Sequence, residues 1–284
     1  MAMKLESKVC LITGAGRGIG EAIALTFARC GATLVLCSRN PKEVEAVAAK
    51  TKADSCPTIT FGVDVSDFAQ VSKMVTETIS QFGRIDVLVN NAGVYGPIGP
   101  IWNNDLSLWK ETIAINLFGP VNCIRAIAPH MIQSHKGKII NLAGGGEGAF
   151  PRFSAYACSK SAVVRLTETL AEEFREYNIQ VNAIAPGGVN TRFLDQILAA
   201  GKNAGAYYEK ARRQKECGGI SAEVAAELAA SLASDAFDGL TGRLLSAVWD
   251  DWKNLDFARI TNNSSYQVRR IDGVRFLESI GAKK

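Results

Sequence analysis

The sequence predicts an α/β protein built on a doubly wound parallel sheet, and three observations support this. Short apolar runs rich in β-branched residues alternate with helical patterns over the first 250 residues. The first apolar run leads directly into a glycine-rich turn and then a helical pattern. The run at 85–89 is continuously apolar, as expected for a parallel strand buried on both faces. Helices on both faces of such a sheet give three layers.

The first predicted strand covers residues 8–13 and precedes the turn Gly14-Ala-Gly-Arg-Gly-Ile-Gly20. A helical pattern then runs to Arg29. A strand, a glycine-rich turn and a helix together bring phosphate close to the free backbone N–H groups of a helix N-terminus. The position of the turn after the first strand therefore predicts nucleotide binding, although its glycine spacing differs from G-x-G-x-x-G.

The second predicted strand, residues 32–37, ends at Ser38 and Arg39. In dinucleotide-binding folds an acidic residue near this point holds the ribose of NAD, whereas an arginine accommodates the 2′-phosphate of NADP. Ser38 is uncharged, and Arg39 and Arg17 supply two cations. NADP(H) is therefore the preferred cofactor and NAD(H) the alternative, unless both arginines are simply solvated.

The remaining elements complete the alternation. The strand at 58–63 ends at Asp64 and Val65, and the strand at 85–89 ends in Asn91, Ala92 and Gly93, which are small enough for a flat ligand to approach. Further strands are predicted at 138–142, 179–185 and 242–248, and helices at 71–82, 109–131 and 161–174.

A tyrosine and a lysine four residues apart lie immediately before the helical pattern at 161–174, in the first turns of the same predicted helix. At this spacing Tyr156 and Lys160 share one helix face. A nearby positive charge favours the phenolate and lowers its pKa from about 10 toward neutrality, where proton transfer is efficient. The pair is a candidate proton donor, although such pairs are usually surface neighbours.

Composition narrows the class of protein. The chain has 284 residues, 47% of them hydrophobic, and a net charge of +4 with dispersed basic residues, which does not favour nucleic acid as a partner. The seven cysteines form no C-x-x-C pair, and the first residues show neither a leader nor a membrane segment, so a cytoplasmic protein is expected. With only two histidines, no metal site is predicted.

Five motifs carry a family resemblance over about residues 5–250. They are Thr13-Gly-x-x-x-Gly-x-Gly20, Asn90-Asn-Ala-Gly93, Asn116, Tyr156-x-x-x-Lys160 and Pro186-Gly187. In order and spacing the chain resembles the short-chain dehydrogenase/reductase family. The resemblance implies a Rossmann-type single domain over 1–250, with a lid at about 192–219 and a C-terminal extension at 251–284. It also implies a homodimer or homotetramer that interconverts a small-molecule carbonyl and a secondary alcohol.

The resemblance also implies roles for individual residues. Tyr156 would be the general acid/base, Lys160 would hold the nicotinamide ribose and lower the tyrosine pKa, and Asn116 would hold a water in the proton relay. The implied cofactor contacts, besides Tyr156 and Lys160, are Gly14, Arg17, Gly18, Ile19, Gly20, Ser38, Arg39, Asp64, Val65, Asn91, Ala92, Gly93, Pro186, Gly187, Val189 and Thr191.

One member of the implied catalytic set is missing. The family usually places a serine thirteen residues before the tyrosine, and here that position is Ala143, followed by Gly144. Loss of one such donor typically costs about 10²–10³ in rate. Three interpretations stay open: another hydroxyl such as Ser154 replaces it, the chain is a Ser→Ala variant, or the protein is a non-catalytic NADP(H)-binding sensor or scaffold.

The substrate side of the predicted site is less defined. Candidate contacts on the surrounding loops are Tyr95, Glu147, Phe150, Phe153 and Phe193. The charges of Glu147 and Arg152 suggest a polar substrate such as a sugar, a cyclitol or an acyl-linked carbonyl. Trp249 and Trp252 begin the last segment, which either caps the pocket, forms a subunit contact or packs on its own core.

Overall fold

The computed structural model describes residues 4–144, 148–257, 260 and 265–268. Within these residues seven strands form one sheet in the order β3-β2-β1-β4-β5-β6-β7, and each neighbouring pair is parallel. The strands are β1 Val9–Thr13, β2 Thr33–Ser38, β3 Thr58–Gly62, β4 Val87–Asn90, β5 Gly137–Leu142, β6 Ile179–Ala185 and β7 Leu244–Ser246. The predicted doubly wound parallel sheet is confirmed.

Most of the described α-helices cover the two faces of the sheet. They are α1 Gly18–Arg29, α2 Pro41–Thr51, α3 Phe68–Phe82, α4 Leu106–Ile113, α5 Gly119–Ser134, α6 Ser154–Glu173, α7 Arg192–Ala200, α8 Ala206–Cys217 and α9 Ala222–Ala233. Short 3₁₀ segments lie at Lys52–Asp54, Ile101–Asn103, Arg175–Tyr177, Gly201–Ala204, Asp235–Phe237 and Trp252–Asn254. No helix in the described part of the chain is long and apolar enough to cross a membrane.

Strand β1 shows why the sheet is buried on both faces. Its side chains alternate with period two, so Cys10 and Ile12 enter one hydrophobic core while Val9 and Leu11 enter the core on the other face. All five residues of β1 are buried. A strand with apolar residues at consecutive positions therefore stabilises two helical layers at once.

The prediction of a single helix over 109–131 is wrong in detail, because the structure divides this region into three segments. A π-helical turn, Ala114–Phe118, separates α4 from α5. Pro120 has no backbone N–H and cannot donate to the carbonyl of Asn116, four residues earlier. The interruption places Asn116 in the π-helical turn, a feature that is frequent at functional sites.

The predicted strand at 179–185 is confirmed as β6, but the other predicted strand ends shift. The second strand begins and ends one residue later than predicted, so that Ser38 belongs to β2. The last strand is shorter, because β7 contains only three residues. The described part of the C-terminal extension contacts this edge, where Leu244 N donates to Tyr266 O at 2.8 Å and the Trp252 indole is buried.

Candidate active site

A cleft of about 1680 Å³ lies at the carboxyl ends of the strands. The strand order reverses between β1 and β4, which is where ligands bind in open α/β sheets. The cleft is larger than the 300–1,000 Å³ of an ordinary ligand site and has room for a dinucleotide and a second molecule. The predicted residues that line it are Gly14, Arg17, Gly18, Ile19, Gly20, Ser38, Arg39, Asp64, Val65, Asn91, Ala92, Gly93, Tyr95, Ala143, Phe150, Tyr156, Lys160, Pro186, Gly187, Val189, Thr191 and Phe193.

The glycine-rich turn is fixed by close backbone contacts. A Cβ on Gly14, whose φ is +63°, would lie 2.8 Å from the Cα of Ala92, and a Cβ on Gly20 would lie 2.2 Å from the Gly14 carbonyl oxygen. Asn91 Nδ2 donates to the carbonyls of Thr13 and Gly14 at 2.9 and 3.0 Å. The Asn91 amide thus holds the turn against the end of β4.

The N-terminus of α1 opens onto this turn. Its N-cap residue, Arg17, makes no side-chain cap hydrogen bond, so its side chain leaves the first backbone N–H groups of the helix unsatisfied. Free N–H groups and the helix dipole both favour an anion at this point. The glycine-rich turn and the uncapped helix end therefore fit the diphosphate of a dinucleotide.

Charged side chains surround the end of the cleft beside the glycine-rich turn and the end of β2. Arg17 Nη1 lies 2.9 Å from Glu43 Oε1, and Arg39 Nη1 lies 3.6 Å from Glu111 Oε1. The Ser38 hydroxyl donates to the carbonyl of Asn40 at 2.8 Å. Both predicted arginines are present at the rim, and each faces a carboxylate that the sequence analysis did not predict.

Tyr156 and Lys160 lie together at the floor, but the expected lowering of the tyrosine pKa is not found. Tyr156 is 8% exposed, and its burial, with a smaller contribution from Tyr95, raises its pKa well above the usual range. Lys160 Nζ donates to the Leu142 carbonyl at 2.6 Å and lies 5.9 Å from the Tyr156 ring centroid. Burial lowers the pKa of Lys160 to about 8. Loss of hydration therefore outweighs the mutual attraction.

Asn116 does not line the cleft; it lies directly behind the floor. Its Oδ1 accepts from the Val94 N–H, and its Nδ2 donates to the Val94 carbonyl, each at 2.8 Å. Nδ2 also donates to the Ser159 hydroxyl at 3.0 Å. A Cβ on Gly93 would lie 3.3 Å from Asn116 Oδ1 and 3.6 Å from Lys160 Nζ. Asn116 thus positions the loop beside Lys160.

Ala143 is 3% exposed and presents a methyl group to the cleft. The next residue, Gly144, has φ +121° and lies near the Tyr156 hydroxyl, which would be 3.4 Å from a Cβ placed there. Ser154 is not among the residues that line the cleft. Its hydroxyl accepts instead from Trp109 Nε1 at 3.2 Å. The contact with Trp109 and the absence of Ser154 from the cleft lining do not support Ser154 as the replacement donor.

Aromatic side chains form the wall above Tyr156. The Tyr95 ring makes an edge contact with Tyr156, with ring centroids 4.7 Å apart, and a tilted contact with Phe193, with centroids 4.3 Å apart. Phe153, predicted as a substrate contact, is fully buried behind this wall, where it stacks on Phe150 at 4.4 Å. Glu147 lies outside the described residues.

The roles of several residues that shape the site were not predicted from the sequence. Thr13 Oγ1 accepts from the backbone N–H groups of Asn91 and Ala92, both at 3.0 Å. Glu43 and Trp249 both line the cleft. The signal for Glu43 was a carboxylate in the first turn of the helix that follows the second strand. Thr13 was predicted only as the first residue of the glycine-rich motif, and Trp249 only as part of a segment that caps the pocket, forms a subunit contact or packs on its own core.

Residues 8–201 match the model of the short chain dehydrogenase family. The chain belongs to this family. The dehydrogenase is accordingly an oxidoreductase that acts on CH–OH or carbonyl groups with NAD(P), as its family members do.

Individual relatives differ in substrate and cofactor. The dehydrogenase is 35% identical over 196 residues to the 3-oxoacyl-[acyl-carrier-protein] reductase FabG of Thermotoga maritima, covering 69% of this chain and 79% of that one. It resembles an NAD⁺-bound xylitol dehydrogenase (TM-score 0.80, 31% identity, 86% and 98% coverage). It also resembles a gluconate 5-dehydrogenase from Burkholderia cenocepacia J2315 in complex with NADP and tartrate (TM-score 0.77, 31% identity, 86% and 95% coverage).

Proposed function

We propose that this dehydrogenase interconverts a carbonyl and a secondary alcohol with NADP(H) preferred over NAD(H), and that Tyr156 transfers the proton. The observation that carries the proposal is one continuous cleft that holds the Tyr156–Lys160 pair at its floor and Arg17 and Arg39 at its rim. Position 38, where a carboxylate would favour NAD, carries a neutral hydroxyl.

The cofactor, when bound, supplies or accepts a hydride. The glycine-rich turn and the N-terminus of α1 would hold its diphosphate, because the Arg17 side chain does not cap the backbone N–H groups at the helix end. Arg17 and Arg39 would meet the 2′-phosphate. Gly93 and Lys160 would lie beside the nicotinamide ribose.

Tyr156 is suited to donate a proton in the reductive direction. Its raised pKa keeps the phenol protonated at neutral pH. Donation leaves a phenolate in a buried site, which is unfavourable without a nearby cation. Lys160, whose pKa is about 8, is mostly charged at pH 7 and balances that phenolate. The aromatic wall limits access of water, so this attraction acts in a medium of low polarity.

The methyl of Ala143 cannot donate to the substrate oxygen, and we propose that Tyr95 supplies the second donor. Tyr95 lines the cleft in edge contact with Tyr156. Its hydroxyl makes no hydrogen bond to any residue in the described ranges. Burial raises its pKa to about 12, so the hydroxyl keeps its proton throughout the working range.

The wall also indicates the class of substrate. Tyr95, Phe150, Phe193 and Tyr207 form an apolar and largely aromatic surface next to Tyr156. Such a surface favours a carbonyl compound with an apolar chain or ring over the small polar sugar that Glu147 and Arg152 suggested. We therefore propose a hydrophobic ketone or its alcohol as the substrate.

The test is NADPH oxidation over a panel of cyclic ketones, β-ketoacyl thioesters and keto sugars. The wild type, Ala143→Ser and Tyr156→Phe are compared. Turnover that Tyr156→Phe abolishes is the expected result. A gain of about 10²-fold in Ala143→Ser shows that the missing hydroxyl limits the rate, whereas equal rates favour Tyr95. If the wild type and Ala143→Ser both bind NADPH but neither turns over any substrate, the proposal is contradicted and a non-catalytic NADP(H)-binding protein is favoured.

The other predictions about organisation remain predictions. They are the division into a domain at 1–250 and an extension at 251–284, the lid at about 192–219, the homodimer or homotetramer, and the cytoplasmic location. Helices α7 and α8 occupy the expected lid segment and contribute Phe193 and Tyr207 to the aromatic wall.

A further inference from the structure

One carboxylate at the rim of the cleft has no part in the proposed reaction. Glu43 lies in the first turn of α2, and its side chain is only 25% exposed. Both of its oxygens accept from Arg17 Nη1, at 2.9 and 3.0 Å. Arg192 Nη2, at the start of α7, lies 3.7 Å from Oε1 of the same carboxylate.

The packing of α2 leaves this carboxylate little freedom to move away. A Cβ on Gly16 would lie 2.6 Å from the Cβ of Glu43, so the helix packs directly on the glycine-rich turn. The helix start is fixed by Asn40, whose side chain accepts from the Lys42 N–H at 3.2 Å. Glu43 is therefore held at the rim by its own backbone, independently of its ion pairs.

The other rim pair is weaker. Arg39 and Glu111 are separated by 3.6 Å, and both side chains are more than half exposed. Exposed pairs contribute little because water and salt screen them. The shorter and less exposed contact between Arg17 and Glu43 is the one that a ligand would have to displace.

We infer that Glu43 is a specificity-determining residue that competes with the 2′-phosphate of NADP(H) for Arg17. This inference rests on the proposed function, in which Arg17 meets that phosphate. A guanidinium that is already paired with a carboxylate must exchange partners to bind phosphate, and the carboxylate then repels the new anion. NAD(H) lacks this phosphate and does not compete. Glu43 therefore reduces the preference for NADP(H).

Arg192 extends the competition to a second element. Because Glu43 contacts Arg17 in the glycine-rich turn and Arg192 in α7, its carboxylate joins two sides of the cleft. When a phosphate replaces the carboxylate of Glu43 at Arg17, Arg192 either loses Glu43 as its partner or is itself attracted to the phosphate. The cofactor phosphate and the start of α7 are thus coupled through one side chain.

The experiment measures the dissociation constants of NADPH and NADH by fluorescence titration for the wild type, Glu43→Gln and Glu45→Gln. Glu45 is the matched control: it is an exposed carboxylate on the same helix with no ion pair among the described residues. In Glu43→Gln we expect the Kd of NADPH to fall about three- to tenfold and that of NADH to change less than about twofold. The selective gain should shrink at high salt.

Three results would overturn the inference. One is an NADPH/NADH ratio in Glu43→Gln equal to that of Glu45→Gln. Another is weaker NADH binding in Glu43→Gln, which would make Glu43 a ribose ligand. The third is an equal gain in NADPH affinity when Glu43→Gln is added to Arg17→Gln, because Arg17 is then no longer present to be competed for. A wild type that binds NADH more tightly than NADPH contradicts the proposed cofactor preference. It does not bear on the inference about Glu43, which is tested by the change in the NADPH/NADH ratio between variants.

Discussion

Replacement of Lys160 by Met should stabilise the folded protein near neutral pH while it removes a group of the proposed proton-transfer site. Lys160 is 5% exposed, and burial lowers its pKa from 10.5 to about 8. At pH 7 the folded protein must therefore keep an ammonium that the unfolded chain hydrates better, at a cost of about 3 kcal/mol. Loss of the hydrogen bond to the Leu142 carbonyl offsets about 1–2 kcal/mol of this gain.

The pH dependence has a definite sign. Between about pH 8 and 10.5 the unfolded chain binds more protons at this position than the folded protein does, so wild-type stability rises with pH. The unfavourable contribution of Lys160 falls by about 2 kcal/mol from pH 7 to about pH 9.5. Lys160→Met has no such group, and its advantage should vanish or reverse over this range.

The assay is urea unfolding of the wild type, Lys160→Met and the exposed control Lys110→Met at both pH values. The variant-minus-wild-type difference in unfolding free energy should shift by about 2 kcal/mol in favour of the wild type as pH rises, with no matching shift for Lys110→Met. A pH-independent difference, or a wild type that loses stability relative to Lys160→Met at high pH, refutes the reasoning.

Three further substitutions test other parts of the site. Tyr95→Phe should lower kcat on the best substrate of the panel about 10–100-fold without changing the Kd of NADPH; an unchanged kcat contradicts its role as donor. Ser154→Ala should lower the free energy of unfolding by about 1 kcal/mol, because Trp109 Nε1 loses its acceptor, and should leave kcat/KM unaltered; a hundredfold fall would restore Ser154 as a candidate. Gly20→Ala places a Cβ 2.2 Å from the Gly14 carbonyl and should abolish NADPH binding in a titration, so an unchanged Kd argues against the close packing of the turn.

The sequence predicted the features that follow from local patterns. The alternation of strands and helices, the turn after β1 and the four-residue spacing of Tyr156 and Lys160 depend on neighbours in the chain. The division of the helix at 109–131 was missed, although Gly119 and Pro120 stood in the sequence. The helical spacing of apolar residues continues on both sides of Gly119 and Pro120, and the prediction gave that spacing more weight than the two helix-breaking residues.

The shift in the pKa of Tyr156 was predicted in the wrong direction for a different reason. Sequence spacing places a cation near the phenol, but it does not show how completely both groups leave water. Ser154 was the nearest hydroxyl in sequence, but closeness in sequence does not fix direction on a helix. Two residues before Tyr156, it does not line the cleft and contacts Trp109. Glu43 was missed because its effect depends on the packing of α2 against the glycine-rich turn.

The hydrogen bonds that join Thr13 and Gly14 to Asn91 and Ala92 bear on how this protein folds. The bonded groups lie 77–79 residues apart in the chain, and two whole strand–helix units separate them. Contacts of such long sequence separation form only after a large loop has closed, which slows folding. A nascent chain shorter than about ninety residues contains the glycine-rich turn but not the strand that fixes it. Acquisition of nucleotide affinity would therefore report the docking of β4 beside β1, late in synthesis of the first half of the sheet.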